Sequence, residues 1–230
     1  MNYLLIIIGL LPSFAWLTFY LEEDPHPEPK KLIFYTFLAG AASTFIVLGL
    51  QLLFSNWLAA KNLNQFAFLP MLVLAGIEEL FKFLAAYLVV SNNRKEFNEP
   101  IDAMIYMVVA ALGFAAVENI AVVFKSGVPS IETASLRFIG ATLLHSISSG
   151  LLGYYWARSL SHYEIGQKIR LALVGFLAAT LLHTIFNFLI IISEPLVAPT
   201  IFLIIFALFI LYDFEKLKRC KQTDNKININ

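Results

Sequence analysis

The amino-acid sequence predicts an all-α membrane protein, a polytopic bundle of about seven transmembrane helices (seven or eight). Hydrophobic residues make up 59% of the 230 residues, charged residues only 14%, and the mean hydropathy is +0.76. Soluble domains have about 45–50% apolar and about 25% charged residues. Long runs such as residues 201–206 are apolar on every face, whereas transmembrane strands alternate apolar and polar residues. These observations together favour helices in a bilayer.

Composition also excludes several other classes of protein. The 16 Lys and Arg residues balance 16 Asp and Glu residues, so no nucleic-acid partner is expected. The sequence has one cysteine, Cys220, which excludes a disulfide scaffold. We therefore expect one integral-membrane domain at residues 1–213 and a short polar cytoplasmic tail at residues 214–230.

The seven predicted spans follow from the length of apolar helix, roughly 20 residues, that crosses a bilayer core of about 30 Å. The first has no Lys or Arg before its apolar run and no clear cleavage site after it, so we expect a retained helix. The last two are joined by a very short turn containing Pro195, which predicts a tight helical hairpin. The spans are residues 1–21, 32–54, 66–90, 101–124, 137–157, 169–193 and 196–212.

The orientation of the chain follows from its basic residues. With seven spans, twelve of the 16 Lys and Arg residues lie on the side of the C-terminal tail and three on the opposite side, while Lys82 lies inside a span. Cytoplasmic loops carry the excess of basic residues. We therefore expect the N-terminus outside and the C-terminus in the cytoplasm.

Ionisable residues inside the spans are the main functional signal, because each costs several kcal/mol in lipid. At about 1.5 Å per residue, four spans place such groups between mid-membrane and the outer quarter. A single polar residue of this kind is explained by a structural charge pair or a helix-packing hydrogen bond. The shared depth of such residues on four spans instead predicts one buried site. The candidate residues are Glu78, Glu79, Lys82, Glu118, Asn119, His145, His183 and Asn187.

Helical spacing adds detail within each span. Lys82 follows Glu78 by four residues and Glu79 by three, so the lysine can pair with only part of that negative charge. The same four-residue spacing places His183 and Asn187 on one face of their helix. In the fourth span Gly113, Ala115 and Ala116 would let neighbouring helices approach closely.

Hydrolysis is the chemistry that such a set supports best. A buried glutamate can act as a general base toward water, and two histidines with a carboxylate also supply the three ligands of a catalytic zinc. Histidine or asparagine donors can then stabilise the oxyanion. Two alternatives use the same residues: a proton- or metal-ion-coupled transporter, and a nonenzymatic scaffold. No paired halves with broken helices are evident, which favours the enzyme.

The order and spacing of these residues resemble the PrsW family of intramembrane proteases, distantly related to the CAAX-processing membrane proteases. The resemblance covers about residues 20 to 190. The acidic, proline-rich run at residues 24–29 and the motif at residues 99–102 are also similar to that family. The motifs that carry the resemblance are Glu78-Glu79-x-x-Lys82, Phe114-x-x-x-Glu118-Asn119, an isolated His145 and His183-x-x-x-Asn187.

This resemblance implies a peptidase of the bacterial plasma membrane that cuts a single-span membrane protein, the best-known role being the first cut of an anti-sigma factor. It implies zinc, or alternatively a glutamate-activated water without a metal, and no particular oligomeric state. The His-Glu-x-x-His, Gly-x-Ser-Gly and paired-aspartate signatures of other intramembrane proteases are absent from the spans. The implied catalytic residues are Glu78, Glu79, His183 and Asn187; the supporting residues are Lys82, Phe114 and Asn119; the metal ligands are Glu118, His145 and His183.

Overall fold

The computed structural model describes residues 3–24, 26–93, 95–126, 137–193 and 197–227, with side chains up to residue 218. These ranges contain seven α-helices and no strand, which confirms the predicted fold class. The turn with Pro195 lies outside the described residues. The helices are α1 (Tyr3–Glu22), α2 (Lys30–Ala60), α3 (Phe68–Ser91), α4 (Pro100–Ser126), α5 (Leu143–Leu160, preceded by a π-helical turn, Phe138–Thr142), α6 (Ile165–Ile192) and α7 (Val197–Ile227).

Five of these helices, α1, α2, α4, α6 and α7, are long and apolar enough to cross a membrane. The other two are the more polar α3, which carries the charged residues Glu78, Glu79 and Lys82, and α5, which carries His145 and several serines. Helix α7 continues to Ile227, so the predicted tail at residue 214 begins inside a helix. The orientation of the bundle in the membrane stays a prediction.

Helix α4 forms the centre of the bundle. Nearly all of its residues from Ile101 to Ala116 are buried, and α1, α2, α3 and α5 pack around it. The outer helices instead expose large apolar side chains such as Leu52 and Leu53. In water these side chains would be unfavourable, whereas lipid tails solvate them. The arrangement is therefore a bundle with a packed core and a lipid-facing surface.

Helices α2 and α4 cross in direct backbone contact. A Cβ atom added to Gly40 would lie 2.0 Å from the carbonyl oxygen of Ala110, and one added to Gly113 would lie 2.0 Å from that of Phe37. Any larger side chain would force the helices apart. The predicted close approach at Gly113 is confirmed, and it fixes the path of α2 toward α3.

The two acidic, proline-containing motifs meet at the start of α4. Tyr106 donates its phenolic hydrogen to the carboxylate of Glu28, and His26 Nδ1 lies 3.1 Å from Glu99 Oε1. Asp102 accepts the backbone N–H of Glu99 at 2.7 Å, which caps the first turn of the helix. Burial raises the pKa of the Glu28 carboxyl to about 8. These contacts hold the α1–α2 loop against α4.

Candidate active site

Helix α3 directs its three charged residues into the bundle. Its buried stripe recurs with helical period from Met71 through Ala75 to Glu78, Glu79 and Lys82. Glu79 and Lys82 are completely buried. Lys82 Nζ lies 2.9 Å from Glu79 Oε1 and 3.7 Å from Glu78 Oε2. The lysine therefore forms its close ion pair with Glu79, and Glu78 is less strongly neutralised.

The carboxylate of Glu79 is saturated with hydrogen-bond donors. Its Oε1 accepts from Lys82 at 2.9 Å, from the Ser148 hydroxyl at 3.0 Å and from His183 Nδ1 at 2.9 Å. Its Oε2 accepts from the Ser149 hydroxyl at 2.8 Å. A buried carboxylate with donors on both oxygens is held in place as the anion. This geometry suits a residue that orients its neighbours.

Each histidine is oriented by a carboxylate on one ring nitrogen. His183 Nδ1 lies 2.9 Å from Glu79 Oε1, so a neutral imidazole that donates there presents the lone pair of Nε2, 3.6 Å from Glu78 Oε2. His145 Nε2 donates to Glu118 Oε2 at 2.7 Å, which leaves Nδ1 without a hydrogen, 3.9 Å from the same Glu78 oxygen. Carboxylate–histidine pairs of this kind fix the tautomer of histidines that ligate metals. Both of these nitrogens therefore lie within 4 Å of Glu78 Oε2, and that of His145 also lies 2.7 Å from Lys82 Nζ.

Glu78, His145 and His183 form a group that could hold a metal ion. One ligand atom from each lies within 4.8 Å of the others, and among the described residues buried Glu78 Oε2 has no hydrogen-bond partner. The ligands of one zinc ion lie about 3–4 Å apart, because each bond is about 2.0–2.2 Å long. The donor set therefore fits zinc. Lys82 Nζ lies 2.7 Å from His145 Nδ1, so ion binding requires that hydrogen bond to open.

Glu118, which the family resemblance implied as a metal ligand, contacts the far side of the His145 ring and lies outside this group. Arg137 contributes to its position: one guanidinium nitrogen lies 3.5 Å from Glu118 Oε2, and Nε donates to Asn119 Oδ1 at 2.6 Å. Asn119 in turn donates to Thr142 at 2.9 Å, in the π-helical turn before α5. Glu118 and Asn119 thus support His145 from the outer side of the cluster.

The two remaining predicted residues lie at the edges of the cluster. The ring of Phe114 faces Lys82, with Nζ 4.7 Å from the centroid, and lies 5.6 Å from the His145 ring. This cation–π contact stabilises the buried ammonium. Asn187, one helical turn after His183, lines a cavity that also reaches Glu78. The structure therefore brings all the predicted site residues to one region.

Four contributors were not predicted from the sequence: Gln51, Arg137, Ser148 and Ser149. Gln51 lies on α2 and donates its side-chain amide to Glu78 Oε1 at 2.9 Å. Uncharged glutamine and serine cost far less in a membrane helix than charged residues do. The available signal was local, because the two serines follow His145 by three and four residues and share its helix face.

Comparison with known proteins identifies a family that covers most of the chain. A family profile described as PrsW family intramembrane metalloprotease matches residues 28–212. Proteins named Protease PrsW are similar to this chain: that of Oceanobacillus iheyensis is 30% identical over 79% of this chain and 80% of its own length. The protein of Halalkalibacterium halodurans is 32% identical over 80% and 81%, and that of Bacillus subtilis 24% identical over 80% and 82%. No solved structure matches the chain.

Proposed function

We propose, from the premise that this chain belongs to the PrsW family of intramembrane metalloproteases, that it hydrolyses a peptide bond of a single-span membrane protein at a water held by Glu78, His145 and His183. The family makes the chain a membrane peptidase, and its bacterial relatives indicate an integral protein of the plasma membrane. Membership also favours the enzyme over the ion-coupled transporter.

The observation that carries the mechanism is Oε2 of Glu78, which accepts no hydrogen bond from the described residues and lies near Nε2 of His183 and Nδ1 of His145. A water bound between these atoms donates one hydrogen to Glu78 and the other to a histidine nitrogen. Glu78 takes the proton as the water oxygen attacks the carbonyl carbon. The same proton then passes to the amide nitrogen, the C–N bond breaks, and the two new chain ends carry the elements of water.

The other charged residues supply position and electrostatics. Glu79 and Glu118 fix the two histidines, and Lys82 places a buried positive charge beside them. A preorganised charge of this kind stabilises the negative charge that develops on the substrate oxygen. Asn187 lines the cavity beside Glu78, and we assign its amide as a donor to that oxygen.

The metal that the family description implies would be held by Glu78 Oε2, His145 Nδ1 and His183 Nε2. Zinc fits two histidines and a carboxylate, and it would supply polarisation of the carbonyl and a lowered pKa of the attacking water. In the alternative without a metal, the same three side chains hold the water directly. In the version without a metal, Glu78 accepts the proton of that water.

A single-span substrate is proposed because the cluster lies inside the bundle, at the depth predicted to be within the membrane. A substrate chain that is itself embedded in the bilayer can reach the cluster from the lipid. An anti-sigma factor is the substrate class that the sequence resemblance implies. The cut would be the first step of a regulated proteolysis. This part of the proposal rests on family resemblance, whereas the hydrolytic site rests on the geometry.

The test uses purified protein in liposomes with pooled single-span reporter peptides whose central residues are randomised, read by mass spectrometry. Wild type should cut reporters within the apolar segment, and Glu78→Gln should cut roughly 10²–10⁴-fold more slowly. Glu164→Gln, at an exposed glutamate outside the cluster, is the control and should keep the wild-type rate. Equal rates for Glu78→Gln and wild type would refute the proposal.

A further inference from the structure

A cavity of about 380 Å³ lies beside the Glu/His cluster, between α2, α3 and α6. Its size is that of small ligand-binding clefts. It extends from Gln65 and Phe66 in the α2–α3 loop to Glu78, and thus from the predicted outer surface to the reactive carboxylate. We call this cavity the cleft.

One face of each helix lines the cleft. On α3 the lining residues Met71, Leu74, Ala75 and Glu78 are spaced by three or four residues. At 1.5 Å per residue this stripe is roughly 10 Å long. An extended peptide rises about 3.3 Å per residue, so the cleft spans about three residues of an extended chain.

The polar groups of the cleft are uncharged apart from Glu78. Gln51 and Ser55 lie one turn apart on α2, and Gln65 and Asn187 face them from the loop and from α6. Amides and hydroxyls both donate and accept hydrogen bonds. They match a neutral backbone, with its alternating N–H and C=O groups, better than they match a charged ligand.

An unwound peptide needs such groups in a membrane. A helical substrate satisfies its own backbone, but the scissile bond becomes accessible only after the helix opens, and each unpaired N–H or C=O then costs several kcal/mol in lipid. Polar side chains at the wall of an otherwise apolar cleft remove that cost. A lipid tail, by contrast, would gain nothing from the amides of Gln51 and Asn187.

We propose that the cleft binds the unwound substrate segment in an extended conformation, with Gln51, Ser55, Gln65 and Asn187 hydrogen-bonding its backbone. Gln51 also contacts Glu78 Oε1 at 2.9 Å, so it links the bound backbone to the reactive carboxylate. This inference rests on the proposed peptidase function and adds the conformation and the route of the substrate.

Disulfide cross-linking tests the inference. The protein carries Glu78→Gln, which slows cleavage, and Cys220, the single cysteine of the sequence, is replaced by serine. The probe is a reporter that wild type cuts, with one cysteine moved through consecutive positions around the cut. Ser55→Cys should cross-link to every second position, because alternate side chains of an extended chain face one wall. Asn56→Cys, on the neighbouring exposed residue, should give background levels.

Cleavage rates supply the second readout. Gln51→Leu and Ser55→Ala should each lower kcat/KM roughly tenfold, as expected for one lost hydrogen bond, while Asn56→Ala should leave it unchanged. Equal cross-linking at positions 55 and 56, or a period of three to four substrate residues, would overturn the extended cleft and leave the peptidase intact. No cut of any reporter by wild type would instead overturn the proposed function itself.

Discussion

Replacing Lys82 with methionine should destabilise the bundle strongly, because its ammonium neutralises a buried carboxylate. Lys82 is completely buried, and its Nζ lies 2.9 Å from Glu79 Oε1 and 2.7 Å from His145 Nδ1. Methionine fills much of the same volume but leaves Glu79 with a full negative charge and no cation in contact. Lys82→Met thus removes the charge while it keeps most of the packing.

The expected loss is large for a single substitution. Removing one partner of a buried ion pair costs about 3–5 kcal/mol of unfolding free energy. Glu79 still accepts hydrogen bonds from Ser148, Ser149 and His183. The expected loss of unfolding free energy is therefore at the lower end of this range, about 3 kcal/mol. Neutralising the carboxylate as well, in Lys82→Met with Glu79→Gln, should recover part of it.

The assay is a denaturant titration in mixed detergent micelles, which gives the free energy of unfolding of each single variant and of the double variant. Coupling between neighbours of this kind is about 0.5–3 kcal/mol. Lys31→Met, at an exposed lysine of α2, is the control and should change stability by at most about 0.5 kcal/mol. Additive losses in the double variant, or a fully stable Lys82→Met, would refute the assigned role of Lys82.

Three further predictions concern other parts of the molecule. Because burial raises the pKa of Glu28 from 4.5 to about 8, its contribution to stability is complete below about pH 4.5 and is lost as the pH rises through about 8; Glu28→Gln should flatten the pH dependence of the unfolding midpoint above pH 5. Gly113→Ala should lower stability by about 1–3 kcal/mol or more, since its Cβ would meet a backbone carbonyl at 2.0 Å, whereas Gly49→Ala, with nothing within 4 Å, should not. Glu118→Gln should reduce the reporter cleavage rate roughly 10–100-fold with the fold intact, because it weakens the orientation of His145.

The helices and the existence of one buried polar cluster were predictable because bilayer thickness and the cost of buried charge act on sequence directly. An apolar run of about 20 residues predicts a span, and ionisable residues within spans predict a site. The bounds were less predictable: α2 runs to Ala60 and α7 to Ile227, beyond the predicted spans, because a helix does not end where its hydrophobic stretch does.

The roles of individual site residues were not predictable in the same way. Glu78 and Glu79 are adjacent in sequence, yet their side chains point about 100° apart around α3. Glu79 contacts Ser148 and Ser149, whereas Glu78 contacts Gln51 and lines the cleft. Which partner each one meets depends on how α2, α5 and α6 pack against α3. That is a tertiary property, and it separates Glu79, whose carboxylate is saturated with donors, from Glu78, to which we assign the reaction.

Glu78 and His183 are proposed to act on one water in one site. The direct test measures kcat/KM for reporter cleavage by Glu78→Gln, by His183→Ala and by the double variant. Residues that act as a unit have strongly non-additive effects, so the double variant should be about as slow as the slower single variant. If instead the two losses multiply, the residues act independently and the shared site is contradicted.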